Sequence, residues 1–372
     1  MTLKPLRKTA YNFQELYLWH DNRGGAGTLP PGLTVQPGEH YENPETKRRL
    51  NNLLEVSGIL DHVVRIKAIA ASKDQLELCH YREYIEKIQK LSKDQGGEAG
   101  IGVPFGVGSF DIAALAVGGV ITIAEAVWKQ EVQNGYALVR PPGHHAVAHQ
   151  GMGFCIFANL AITAKWLMKA HGVKRLTIVD WDVHHGNGTQ ELFYESDECL
   201  TISIHQNGLW PPESGKFNER GKGRGQGYNL NVPLPAGSGN GAYLEAFEKI
   251  VLPAIAAHRP EIILVACGFD ASVNDPLGRM MVTSTGFRRM TQMLVESAAK
   301  LCDGKLVFAN EGGYSLSYVP YCGLAVIEEL AGFRTSVIDP VLAKRDGIPG
   351  QTLESHQEQV INQIAQNIQL TK

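Results

Sequence analysis

The sequence predicts an α/β fold with a mostly parallel sheet, and three observations carry that prediction. Short runs of β-branched and apolar residues at 136–139, 176–180, 200–204, 262–267 and 306–309 have the length and composition of buried strands. Longer stretches with apolar residues at helical spacing separate them, so strand, helix and strand alternate as crossover units, which makes the sheet parallel. The 372 residues are 44% hydrophobic and contain no repeat, low-complexity tract or clean linker. One large domain over 1–372 is therefore expected, with 1–42 as an N-terminal extension and 335–372 as a tail bearing a helix.

In chain order, an aromatic-rich start (Tyr11, Phe13, Tyr17, Trp19) leads into a Gly/Pro-laden run from Asn22 to Gly38. That run is too long for an ordinary connection and reads as a site rim or an oligomer contact. Asn43-Pro44 opens an amphipathic helix marked by Leu50, Leu53, Leu54 and Ile59, and a second helix follows over 76–91. Residues 92–108 form a Gly-rich loop whose mid-loop acid, Glu98, reads as solvated. Small and apolar residues over 112–132 describe a buried, closely packed helix.

Strand 136–139 ends in Arg140-Pro-Pro-Gly143-His144-His145, and Gly151-Met-Gly153-Phe154-Cys155 leads into a helix reaching His171. A short helix at 189–194, strand 200–204 and a long loop from Trp210 to Gly227 come next. Helix 241–258 precedes the strand that ends in Gly268-Phe269-Asp270, and helix 284–302 precedes the one that ends in Asn310-Glu311-Gly312-Gly313-Tyr314. After a helix at 319–330, Val360, Ile361, Ile364 and Ile368 set a helical stripe, read as a docked tail helix.

A net charge of −3 from 35 basic and 38 acidic residues, with no basic block, argues against a nucleic-acid surface. Lys4, Arg7 and Lys8 have no apolar segment behind them, and no run is expected to reach membrane-spanning length. A soluble cytoplasmic protein with no membrane partner is the expectation. Cysteines 79, 155, 199, 267, 302 and 322 show no C-x-x-C pairing and read as reduced, buried thiols.

The chemistry centres on Asp180-Trp-Asp182-Val-His184-His185-Gly-Asn187-Gly188. Alternation in an extended segment puts Asp180, Asp182 and His184 on one side, so Asp182 and His184 can reach one ion with Asp180 behind. Carboxylate plus imidazole suits Zn²⁺, and also Fe²⁺ or Co²⁺. Taken alone, the segment reads equally well as a surface loop whose acids are solvated. However, His144/His145, Asp182/His184, Asp270 and Tyr314 all follow strands, and groups at the carboxyl ends of parallel strands converge. Asp182, His184 and Asp270 would give three protein ligands and leave a position for water and substrate.

R-P-P-G-H-H, D-W-D-V-H-H-G-N-G-T, G-F-D-A, D-P-L-G and E-G-G-Y stand in order from Arg140 to Tyr314. With these motifs the chain resembles the histone deacetylase family, in particular its bacterial class II-like amidohydrolases, over nearly its whole length. The resemblance implies the three-layer arginase/deacetylase fold, an eight-stranded mostly parallel sheet between helices. It implies hydrolysis of acetyl-lysine, in a peptide or protein, to lysine and acetate, with one zinc on Asp182, His184 and Asp270.

The same resemblance assigns His144 and His145 as the catalytic histidines, with Asp180 behind the first and Asn187 behind the second, and Tyr314 as the carbonyl-polarising phenol. Gly153, Phe154, Trp210 and Leu277 map to the acyl-lysine tunnel, although Phe154 and Trp210 by themselves read as core, and phenylalanine is usual at position 210. Structural potassium is implied at an inner site (Asp180, Asp182, His184, Ser203, Ile204) and an outer one (Phe193, Ser196, Cys199). A homo-oligomer, dimer or tetramer, is also expected. Three other readings compete: an acetylpolyamine deacetylase, a silent acyl-lysine binder, and a two-metal ureohydrolase of the arginase type. The last needs further bridging carboxylates where Asp270 is followed by Ala271 and Ser272.

Overall fold

The structure is a computed structural model, and it describes residues 7–368; Lys4 and the last four residues of the tail lie outside the described residues. Eight strands form the central sheet: β1 Thr9–Asn12, β2 Val64–Arg65, β3 Asn134–Ala137, β4 Leu176–Asp180, β5 Cys199–Gln206, β6 Asn229–Leu234, β7 Ile262–Cys267 and β8 Leu306–Asn310. Their order is β6-β5-β4-β7-β8-β3-β1-β2, and every pairing is parallel.

Successive strand residues point to opposite faces, and both faces are covered. Val179, Ile202, Val265 and Phe308 share one core with helices Ser284–Leu301 and Val319–Ala331. Ile178, Leu264, Ala266 and Val307 share the other with Ser109–Trp128 and Asn159–His171. All six cysteines are buried free thiols.

Three strands, β1, β2 and β6, escape a reading of local pattern. β1 is a four-residue interior strand, so residues 1–42 are not merely an extension; Ala10 is fully buried between β3 and β2. β6 alternates Asn229 and Asn231 with apolar residues and contains Pro233, which a strand at the sheet edge tolerates because one side needs no donor. The helix expected over 76–91 divides into Lys73–Leu76 and Arg82–Asp94, because Tyr81 donates its N–H to Ala148 O and His80 is buried against Val147 O. The helix over 240–258 contains a wider turn at Phe247–Val251, just before Pro253, which has no N–H for the regular ladder.

Helix Ser109–Trp128 corrects the expectation about apolar runs. It is 20 residues long and holds an 18-residue window with a mean hydropathy of 1.8, long and apolar enough to cross a membrane, yet 78% of that window is buried inside the fold. Its small residues serve close packing: Gly118 abuts the Ile69 backbone, and Gly119 abuts Tyr17 and Asn12. The 24–39 run folds into an arm held by bridges Gly25–Gly38 and Gly32–Val35. Thr28 from this run and His40 just after it line the central cavity, so the run forms part of the cavity rim. The tail helix Ser355–Asn367 docks through buried Ile361 and Ile364, with Val360 and Ile368 at the edge of the contact.

Candidate active site

β4, β7, β8 and β3 are consecutive neighbours, so the loops at their carboxyl ends meet. Those loops carry Asp182 and His184, Asp270, Glu311 to Tyr314, and His144 with His145. His184 Nδ1 lies 3.1 Å from Asp182 Oδ1 and 3.1 Å from Asp270 Oδ2. The ligand atoms of the three residues fall within 4.8 Å of one another, and Asp182 and Asp270 are fully buried. Each carboxylate is aimed by a backbone donor: Gly312 N–H to Asp182 Oδ2 at 2.8 Å and Val183 N–H to Asp270 Oδ1 at 2.8 Å. Among the described residues, neither acid forms an ion pair with a lysine or arginine.

This donor set fits a divalent cation. Two buried carboxylates without a fixed cation need positive charge. Within the cluster, burial opposes charge on His184 but its two carboxylate partners outweigh burial and lift it to about 10. Burial and Asp182 push Asp270 up to about 7. A bound metal would take over the imidazolium's role.

The two histidines differ in what stands behind them. His144 Nδ1 is 2.9 Å from Asp180 Oδ2, and His145 Nδ1 is 2.7 Å from Asn187 Oδ1. Burial alone would lower His144, but Asp182 and Asp180 hold it well above the ordinary histidine range. Burial, with positive charge at His144 and His184, pushes His145 well below it. Glu311 is fully buried and accepts from Gly143 N–H at 2.6 Å and His144 N–H at 3.1 Å, which fixes the turn carrying both rings.

A cavity of about 350 Å³ leads to this cluster, lined by Gly153, Phe154, Trp210 and Leu277 together with His145, His184 and Tyr314. Trp210 sets its edge on His145 with centroids 4.5 Å apart, and Phe154 does the same to Tyr314 at 6.0 Å. Gly153 and Phe154 both have positive φ, 49° and 70°. A Cβ at Gly153 would come within 2.5 Å of His145 and 2.7 Å of Trp210, so only glycine lets the two rings close on this wall. Phe154 holds a left-handed backbone that a bulky side chain seldom adopts, which aims its ring into the cavity.

Residues 40–330 match the histone deacetylase domain family. The chain belongs to the histone deacetylase family. It is 46% identical to a histone deacetylase-like amidohydrolase of Pseudomonas aeruginosa over 96% of both chains, and 40% identical to a probable deacetylase of Archaeoglobus fulgidus over 89% of this chain and 88% of that one. A crystal structure of the HDA15 HD domain superposes with a TM-score of 0.84 at 34% identity, covering 98% of this chain and 94% of that one. The fold is that of the histone deacetylases, and the chain is a hydrolase acting on amide bonds. The family is metal-dependent, and Asp182, His184 and Asp270 are a buried group able to hold a metal.

Among the other candidate residues, Asp180 and Ser203 are register partners on β4 and β5, and Ser203 Oγ lies 2.9 Å from His205 Nδ1. Ile204 follows in β5, Cys199 opens it, and Ser196 donates its N–H to Phe193 O at 2.9 Å. Glu98 is not simply solvated: its carboxylate accepts Val103 N–H at 2.5 Å and shapes the loop whose Ile101 and Pro104 line the cavity.

Glu311, Asp275, Glu42 and Lys47 stand beside the site but are not among the candidates that the sequence offers. Asp275 accepts Tyr314 N–H at 2.7 Å and Leu277 N–H at 2.9 Å, so it fixes the loop carrying Tyr314 and the cavity wall at Leu277 together. Asp275 and Glu311 stand inside the D-P-L-G and E-G-G-Y motifs, a signal that was available. Glu42 and Lys47 carry no such local signal.

Proposed function

We propose that the chain removes acetyl groups from the side-chain amine of lysine in peptides or proteins, releasing lysine and acetate, with one zinc ion held by Asp182, His184 and Asp270. The cavity walled by Phe154, Trp210, Gly153 and Leu277 and ending at His145, His184 and Tyr314 carries this reading. An apolar slot with aromatic walls suits the unbranched lysine stem and leaves the rest of a peptide outside.

Two carboxylates and an imidazole suit zinc, which when bound polarises the amide carbonyl and acidifies water. His145, held neutral, takes the proton from the attacking water and returns it to the leaving amine as the C–N bond breaks. His144, kept positive by Asp180, favours the tetrahedral anion. Tyr314 donates its O–H to the developing oxyanion. Structural potassium fits the same reading, with the inner ion at Asp180, Asp182, His184, Ser203 and Ile204; the pairing of Asp180 with Ser203 supports it.

Acetylpolyamines fit less well. A small polycation calls for acids at the mouth, and no aspartate or glutamate lines this cavity among the described residues. The test is a panel of acetyl-lysine peptides, acetylpolyamines and longer acyl-lysines on the zinc-loaded enzyme. Fastest turnover of an acetyl-lysine peptide supports the proposal. Preference for an acetylpolyamine replaces its substrate, and no turnover at full zinc content makes the chain a silent binder.

A further inference from the structure

Lys47 lies on helix Glu45–Val56 with its side chain fully enclosed, and its Nζ has no hydrogen-bond partner. A buried ammonium is costly unless something compensates its charge. Two groups face it. Glu42 Oε1 is 3.5 Å from Nζ, but that carboxylate also receives Arg140 Nε at 2.8 Å. The second group is Tyr314, whose ring centroid lies 5.6 Å from Nζ, within reach of a cation–π contact.

Two cations thus share one carboxylate beside the phenol; burial opposes charge on Lys47, and Glu42 and Asp270 favour it. That charge has work to do. Burial, and then Asp270, Asp182, Glu42 and Asp275, all resist negative charge on Tyr314. The ring is otherwise held by the edge contact with Phe154 and by its backbone bond to Asp275. Lys47 itself does not line the cavity, so it does not touch the substrate; its contact with the site is the Tyr314 ring, and its charge is also felt at Asp270.

We propose that Lys47 is a positioning residue for the reaction: pinned by Glu42, its ammonium holds the Tyr314 ring toward the cavity and strengthens the phenol O–H as a donor to the oxyanion. The proposal rests on the deacetylase reading of Tyr314. Lys47→Met keeps the stem and removes the charge. It should lower kcat about ten-fold while KM stays within about two-fold, since the effect grows only as charge develops. In a Tyr314→Phe background the same change should cost nothing further, and Lys47→Arg should recover most of the lost kcat. Equal losses in both backgrounds would make Lys47 a fold-supporting residue and overturn the proposal.

A second readout needs no turnover. Fluorinated tyrosine installed at position 314 should give one sharp fluorine NMR line that shifts and broadens in Lys47→Met; an identical spectrum overturns the proposal. If acetyl-lysine is not a substrate of the unsubstituted enzyme, the functional reading fails, while the fluorine spectra still decide the role of Lys47. Should Lys47→Met not fold, Lys47→Gln carries the same comparisons.

Discussion

Asn187 presents its side-chain oxygen 2.7 Å from His145 Nδ1, where the neighbouring His144 instead has the carboxylate of Asp180 at 2.9 Å. A neutral amide orients its ring without stabilising the imidazolium, whereas a carboxylate raises the pKa. The base must be neutral to accept a proton, so its protonation sets the acidic limb of kcat/KM. Asn187→Asp should move that limb up by about one unit, because it adds charge behind His145. If the limb stays put while Asp180→Asn lowers it, His144 is the base.

Removing a ligand differs in kind from removing a hydrogen-bond donor. Asp182→Ala, His184→Ala and Asp270→Ala should each abolish both bound metal, measured by elemental analysis after dialysis, and activity. Tyr314→Phe should keep the metal and bind a hydroxamate but lose roughly 10²- to 10³-fold in kcat. Near-normal turnover in that variant would remove the phenol from the mechanism.

Trp210 closes one wall of the cavity, with its edge on His145. The contact is present before and during reaction, so Trp210→Ala should raise KM more than it lowers kcat. Steady-state kinetics on an acetyl-lysine peptide decides this; an unchanged KM places the substrate stem elsewhere.

Glu42 joins the acid stability of the fold to the same region. Burial opposes its ionisation, but Arg140, Lys47 and His20 outweigh burial and hold it down to about 2 against an ordinary 4.5. A depressed carboxylate stabilises the fold above its unfolded pKa and loses that contribution as pH falls through the folded one. Roughly 3 kcal/mol should therefore disappear between about pH 4.5 and pH 2. Urea unfolding across that window should show a shallower loss for Glu42→Gln than for the unsubstituted chain; parallel slopes would mean that Glu42 does not titrate there.

Much of the site was legible because each part has a local signature. The apolar run 262–267 is the strand itself, residue for residue, and a crossover helix on either side makes its neighbours parallel. Once the strands run one way, His144, Asp182, Asp270 and Tyr314 share an end of the sheet, whatever fills the loops. β1 and β6 were harder: four residues with no alternation, and six containing a proline and two asparagines, mean little until a neighbouring strand is found.

The sequence by itself determined the fold class, the family motifs and the order in which reactive groups leave the strands, since these depend on side-chain period and turn chemistry over a few residues. Only the tertiary structure decided which charges meet inside. Glu42 reaches Arg140 across 98 residues, Glu311 reaches Gly143 across 168, and Lys47 comes over the ring of Tyr314. No local pattern distinguishes a lysine or glutamate that will be solvated from one that will be buried. Its place depends on whether folding brings an opposite charge, a backbone donor or an aromatic face close enough to offset the loss of water.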